Sequence, residues 1–246
     1  MSEQSPGPVC LYEGGPKAGG TIVIKLGYRG EAFSGFAEQP TQRTVAGELR
    51  RALETTLRRP CELTCAGRTD AGVHAIAQYV SVPVSEEELC LPGTRLMRSL
   101  VALTPDDLSV SALYRASESF SARFDAQSRS YRYRICAGDA RPVLAWDHAK
   151  ATSAVDKPTC RYVGALDVKA LEEAGENLVA IDITGNAFLH NMVRAIAGSL
   201  VEVGRGHRRP EWMSEVLAAC DRRSAGPCAP AKGLTFVRVE YPAGAL

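Results

Sequence analysis

Arg68 and Asp70 stand two residues apart in the stretch Cys65-Ala66-Gly67-Arg68-Thr69-Asp70-Ala71-Gly72-Val73-His74-Ala75, between two apolar runs. A carboxylate presented on a turn can serve as nucleophile or base if it stays ionised, and a guanidinium at this spacing is near enough to hold it so. Gly67 and Gly72 bracket the pair and permit backbone angles that other residues resist, so the loop can aim Asp70 outward. Alone, an Arg-x-Asp turn is equally the pattern of a surface ion pair. Arg194 is conspicuous for another reason. It lies between Val193 and Ala195 on a stretch whose Leu189, Met192, Val193, Ile196 and Leu200 share one helical face, and a charge on a packing helix is costly unless paired. A third group, Arg123, Arg129, Tyr131, Arg132, Tyr133 and Arg134, mixes aromatic and basic side chains, the composition of a surface that meets a polyanion.

Composition narrows the classes. At 246 residues, with 45% hydrophobic and 23% charged side chains, the chain suits one large or two modest globular domains. Its 29 basic and 28 acidic residues leave a net charge of +1, which argues against indiscriminate polyanion binding but permits a local basic surface. The eight cysteines are irregularly spaced, with no C-x-x-C pair and no H-E-x-x-H. That points to a reducing cytoplasm and to no metal. No apolar run is long enough to span a bilayer, and none resembles the core of a signal peptide.

The elements that would position these groups follow from periodicity. Residues 1–20, rich in proline and glycine, read as a flexible tail. Thr21–Tyr28 alternates as a half-buried strand. Thr44 caps a helix through Leu57, Cys61–Ala66 and Ile76–Val84 are strands around the Asp70 loop, a helix runs from about Pro92 to Thr104, and Leu108–Ala116 is a strand. This β-α-β-β-α-β order predicts an α+β, ferredoxin-like (split βαβ) domain over 21–116. A second such domain, 117–246, is expected from strand Ser128–Cys136, the hairpin Tyr162–Leu171 and Leu178–Thr184, a helix from Leu189 capped at Gly204, a short helix Pro210–Cys220, and strand Leu234–Tyr241. Its first helix has no counterpart. Residues 141–160 carry Pro142 and Pro158 without helical period, so either the protein has shed that helix or the sequence as given omits a segment near 148–150.

Four ordered blocks resemble one family. Gly67 to Ala75 resembles the catalytic motif of the tRNA pseudouridine synthase A (TruA) family. Phe120-Ser121-Ala122-Arg123-Phe124-Asp125-Ala126 with Tyr131-Arg132-Tyr133, then Phe188-Leu189-His190-Asn191-Met192-Val193-Arg194 through Gly198, and finally Ala231-Lys232-Gly233-Leu234 resemble its later blocks. The chain departs from the family pattern at Tyr28-Arg29-Gly30 and Phe36, where aspartate and tryptophan are usual, and in the short stretch near residue 148.

The resemblance implies isomerisation of uridine to pseudouridine at positions thirty-eight to forty of the tRNA anticodon arm by a homodimer, with one tRNA lying across both subunits. The base is detached from C1′, turned and rejoined through C5, so no cofactor is needed. Asp70 would be the nucleophile, by addition to C1′ as in retaining glycosidases, by addition to C6, or by deprotonating the sugar. Arg194 would be its ion partner, in a cleft between the two domains. Tyr131 would stack on the flipped uracil and assist removal of the C5 proton, Leu234 would line the pocket floor, and Arg68 would be the wedge that fills the vacated stack. Arg123, Arg129 and Arg132 would contact phosphates, as would Arg134 and the Arg205, Arg208 and Arg209 group. Thr69 and His74 are further substrate-contact candidates, although His74 and His190 also suit hydrogen-bonded structural positions. Two other classes compete. A non-catalytic RNA-binding protein on the same fold would need an exposed aromatic sheet face, and a metal-dependent nuclease would need several convergent carboxylates.

Overall fold

The computed structural model describes residues 10–11, 20–136, 161–173 and 176–246. The chain divides into two compact units, one of Met1–Arg129 with Phe236–Leu246, the other of Ser130–Thr235. The division therefore falls later than the expected 116/117. Residues 117–129 stay with the first unit because they are bonded into it: Ala122 N–H donates to Ser81 Oγ (3.1 Å) and Tyr241 donates its hydroxyl proton to Ala122 O (2.7 Å). Phe120 and Ala122 also pack with Val23 and Ala116.

In the first unit β1 (Cys10–Leu11) lies within the stretch read as a tail and runs parallel to β5 (Leu108–Ala116). β2 (Thr21–Tyr28) pairs antiparallel with β5 on one edge and β4 (His74–Pro83) on the other. Being central, β2 is buried on both faces rather than one, with Ile22, Val23, Ile24 and Leu26 all enclosed. β3 shrinks to Thr64–Cys65, paired with β4. The order is β1-β5-β2-β4. α1 (Val45–Leu57) starts where Thr44 Oγ1 accepts the Gly47 N–H (3.2 Å), buries Val45, Ala46, Leu49, Ala52 and Leu53, and ends at Arg58 in the left-handed region. It packs against α3 (Gly93–Leu103). Between β4 and α3 a one-turn helix, α2 (Glu86–Leu89), is held by a reciprocal Ser85–Glu88 capping box. The S-x-x-E spacing is its sequence signature.

In the second unit β6 (Ser128–Cys136, from Ser130 onward), β8 (Glu176–Gly185) and β7 (Val163–Glu173) lie side by side. β7 and β8 are antiparallel, with Val168 opposite Ile181 and Leu166 opposite Ile183. The expected loss near 148–150 lies outside the described residues. α4 (Met192–Gly204) begins after Asn191, which sits at φ 58°, three residues later than periodicity suggests. α5 (Trp212–Ala219) follows, and β9 (Leu234–Glu240) returns the chain to the first unit. The whole is α+β with mostly antiparallel strands.

α4 is fixed by close backbone approach. A Cβ on Gly198 would run into the carbonyl oxygen of Pro227, and one on Gly226 would lie 3.0 Å from Ser199 Cα. Ser199 Oγ accepts from Gly226 N (2.9 Å) and donates to Ala195 O (2.9 Å). Gly198→Ala should therefore cost about 1–3 kcal/mol of stability through overpacking, read from urea denaturation, despite alanine's better helix propensity.

Candidate active site

The Asp70 loop has little apolar substance of its own, and polar bonds hold it. Gln78, wholly buried on β4, donates Nε2–H to Gly67 O (2.6 Å) and accepts from Gly67 N (3.4 Å). Thr69, also buried, shares a 2.7 Å hydroxyl bond with Tyr28, and its carbonyl accepts from Phe36 N (3.0 Å). Burial pushes the Tyr28 phenol up in pKa, against the Thr69 and Gln78 hydrogen bonds. The turn closes where Val73 N–H donates to Asp70 O (3.1 Å). Gly72 uses its freedom, at φ 79°, whereas Gly67 is not in the left-handed region. Gly35, at φ 98°, lies under the loop, where a Cβ would be 3.1 Å from Thr69 O.

Two candidates for substrate contact also bond to the scaffold. Thr69 is bonded to Tyr28, and His74 Nδ1 accepts the Gly30 N–H at 3.3 Å. Arg68 is exposed and Asp70 half-buried.

Arg129 corrects an expectation. Rather than facing phosphate it is 9% exposed, and its guanidinium donates to three backbone carbonyls: Ala66 (2.9 Å), Ala126 (3.1 Å) and Arg123 (2.5 Å). It joins the root of the Asp70 loop to the 123–126 turn. Arg68, Arg123 and Arg129 all act on the Cys65 thiol, which burial nonetheless pushes up to about 11. Of these arginines Arg123 is exposed as well as Arg68.

In the second unit Arg194 is 6% exposed, in the first turn of α4. Its Nε–H donates to Ala229 O and a terminal N–H to Asn191 Oδ1, both at 2.8 Å. Tyr131 is buried on β6, edge-on to Phe188 at 5.2 Å between centroids. Leu234 is buried at the start of β9. Tyr133 packs where a Cβ on Gly233 would meet its ring at 2.6 Å. Burial drives this phenol up to about 12, opposed by the charge of Arg194.

Arg132, an expected phosphate contact, is partly exposed and pairs with Asp182 at 2.6 and 2.8 Å, beside Lys169 at 2.7 Å from the same carboxylate. Arg134 donates to Thr235 Oγ1 (3.3 Å). Among the described residues no cluster of His, Cys, Asp or Glu is placed to hold a metal, and no helix is long and apolar enough to cross a membrane.

Residues 146–242 match the family model described as tRNA pseudouridine synthase. The protein named tRNA pseudouridine synthase A of Vibrio campbellii is 34% identical over 262 residues, covering 90% of this chain and 92% of its own. The protein of that name in Francisella tularensis subsp. novicida is 32% identical over 244 residues, covering 89% and 93%. The chain belongs to the tRNA pseudouridine synthase A family. Coverage this complete takes in the Asp70 loop, and the family-model match takes in Arg194 and Leu234. Gln78 and Tyr28, which brace the loop of this family member, escaped the sequence reading. An amide side chain within the largely apolar β4 was the available signal for Gln78.

Two outcomes follow from the geometry. Arg129→Met leaves buried carbonyls unsatisfied and should destabilise the fold by at least about 1–3 kcal/mol in urea denaturation. The Arg132 hydrogen bond, then Lys169, holds Asp182 down at about 2 against an ordinary 3.8. A depressed carboxylate contributes stability above its unfolded value that is lost as pH falls toward the folded one. Asp182→Asn should therefore be less stable than the parent at neutral pH, and that deficit should shrink between pH 3.8 and 2.

Proposed function

We propose that this chain converts uridine to pseudouridine at positions thirty-eight to forty of the tRNA anticodon arm, with Asp70 as nucleophile on a flipped-out base. Family membership supports the activity, and the braced loop that presents Asp70 carries the assignment of the nucleophile. Isomerisation gains no atom and changes no oxidation state, so side chains suffice.

In this reading Arg194 has the role that the family resemblance gives it, the cation that keeps the nucleophilic carboxylate ionised, since such a group would otherwise be neutralised by desolvation. Its anchoring by Ala229 and Asn191 at the start of α4 supports a fixed orientation. Tyr131 stacks on the uracil and assists at C5, with Leu234 beneath. Arg68, exposed on the loop, fills the space the base vacates, and Arg123 meets phosphate. The protein acts in the cytoplasm as a homodimer with tRNA across both subunits. We read each half as ferredoxin-like. The first half's β-α-β-β-α-β order, with β2 between β5 and β4 and β3 paired to β4, supports this.

Tritium release from C5-labelled tRNA tests the nucleophile. Asp70→Ala and Asp70→Asn should release none while binding tRNA nearly as the parent does. Near-normal turnover in either variant would remove Asp70 from the chemistry. If the parent binds tRNA and releases no tritium, the non-catalytic RNA-binding reading takes its place.

A further inference from the structure

Phe124 is the most exposed large hydrophobic side chain among the described residues, at 79%. An aromatic ring left in water forgoes the stabilisation that burial would give it, and this ring is not left on a slack loop. Ser121 N–H donates to Asp125 Oδ2 (2.7 Å), Asp125 N–H to Ser121 O (3.1 Å) and Phe124 N–H to Ser121 Oγ (3.4 Å). The buried Arg129 guanidinium then ties Arg123 O and Ala126 O, on either side of the ring, to Ala66 O at the root of the Asp70 loop. The fold holds Phe124 outward and registers it to that loop.

The surroundings say what the ring would meet. Arg123 places its guanidinium over the ring at 5.4 Å from the centroid. Arg68, also exposed, stands two residues beyond Ala66 on the loop that Arg129 ties to this turn. An open aromatic face with cations beside it suits a group that is flat and attached to a polyanion, which describes an unpaired nucleobase. A wholly apolar partner would have to desolvate the two arginines without compensating them.

We infer that Phe124 is a stacking platform for an unpaired base of the RNA, close to but distinct from the base that Asp70 attacks, with Arg123 holding the adjoining phosphate. Phe124 is a positioning residue. It keeps the strand in register with the Asp70 loop while the target base is out of the stack.

The inference rests on the RNA-directed reading above, and the test separates the two. Affinity for tRNA and tritium release are measured for the parent and for Phe124→Ala, Phe124→Leu and Phe124→Trp, with thermal unfolding and sedimentation of each free protein. Phe124→Ala and Phe124→Leu should both lose about 5- to 150-fold in affinity, the range for one base stacked on an aromatic ring. Phe124→Trp should retain it, and all three should unfold and sediment as the parent does. Normal affinity in Phe124→Ala would overturn the proposal, as would full rescue by leucine, which has no ring face. Altered sedimentation of Phe124→Ala with unchanged tRNA affinity would overturn it in favour of a protein interface. A parent that binds tRNA but releases no tritium would defeat the catalytic reading, while the affinity series would still decide the role of Phe124.

Discussion

The guanidinium of Arg129 is buried and donates to the carbonyls of Ala66, Ala126 and Arg123, and the geometry of the Asp70 loop depends on it. Three acceptors from two separate stretches converge on one planar group whose five donors have fixed directions. Lysine could satisfy the charge but not that fork. Gln78 holds Gly67 from the other side through both ends of its amide, and the Tyr28–Thr69 bond closes the middle. Internal hydrogen bonds and the burial of Ala66 and Val73 together position the loop, on which Arg68 is exposed and Asp70 half-buried. The nucleophilic role proposed for Asp70 is compatible with this, because the conformational cost of placing the loop is met on folding.

The second unit uses a different device for the same end. Arg194 sits where α4 starts, and the 226–233 stretch approaches that helix so closely that a Cβ on Gly198 would overlap Pro227 O and one on Gly226 would crowd Ser199 at 3.0 Å. The same stretch supplies Ala229 O to the Arg194 guanidinium and Gly233 to the face of Tyr133. One segment thus fixes the helix, the cation and the aromatic wall together. A buried arginine anchored in this way keeps its direction, whereas a surface arginine would sample many.

Much of this was legible in the residues, and what was not has a common cause. Strands 108–116 and 128–136 and the helix over 45–57 matched their periodicity because each is long and flanked by clear caps or breaks. The short β3 and the capping-box turn α2 were lost or misjudged, since two to four residues carry no period. Spacing identified Arg68 and Asp70 as the notable pair, but a pattern of residue types does not show which direction a side chain takes. Arg129 and Arg132 look alike in an alternating basic strand. Only the fold shows that one turns inward to carbonyls and the other meets Asp182. Residue type alone likewise does not show that Thr69 bonds Tyr28, whereas a hydrogen-bonded structural position for His74 is among the expectations and matches its bond from Gly30 N–H. The exposure of Phe124 is likewise set by the turn that Ser121 and Asp125 hold and not by residue type.

The central claim is that a chain whose loop is braced in this way forms pseudouridine in tRNA. It is tested most directly by mapping pseudouridine at single-nucleotide resolution in unmodified tRNA incubated with the purified protein. Pseudouridine confined to the anticodon arm, at positions thirty-eight to forty, is the result expected. A complete absence of new pseudouridine with protein in excess over bound tRNA, or its appearance only outside that arm, would contradict the account.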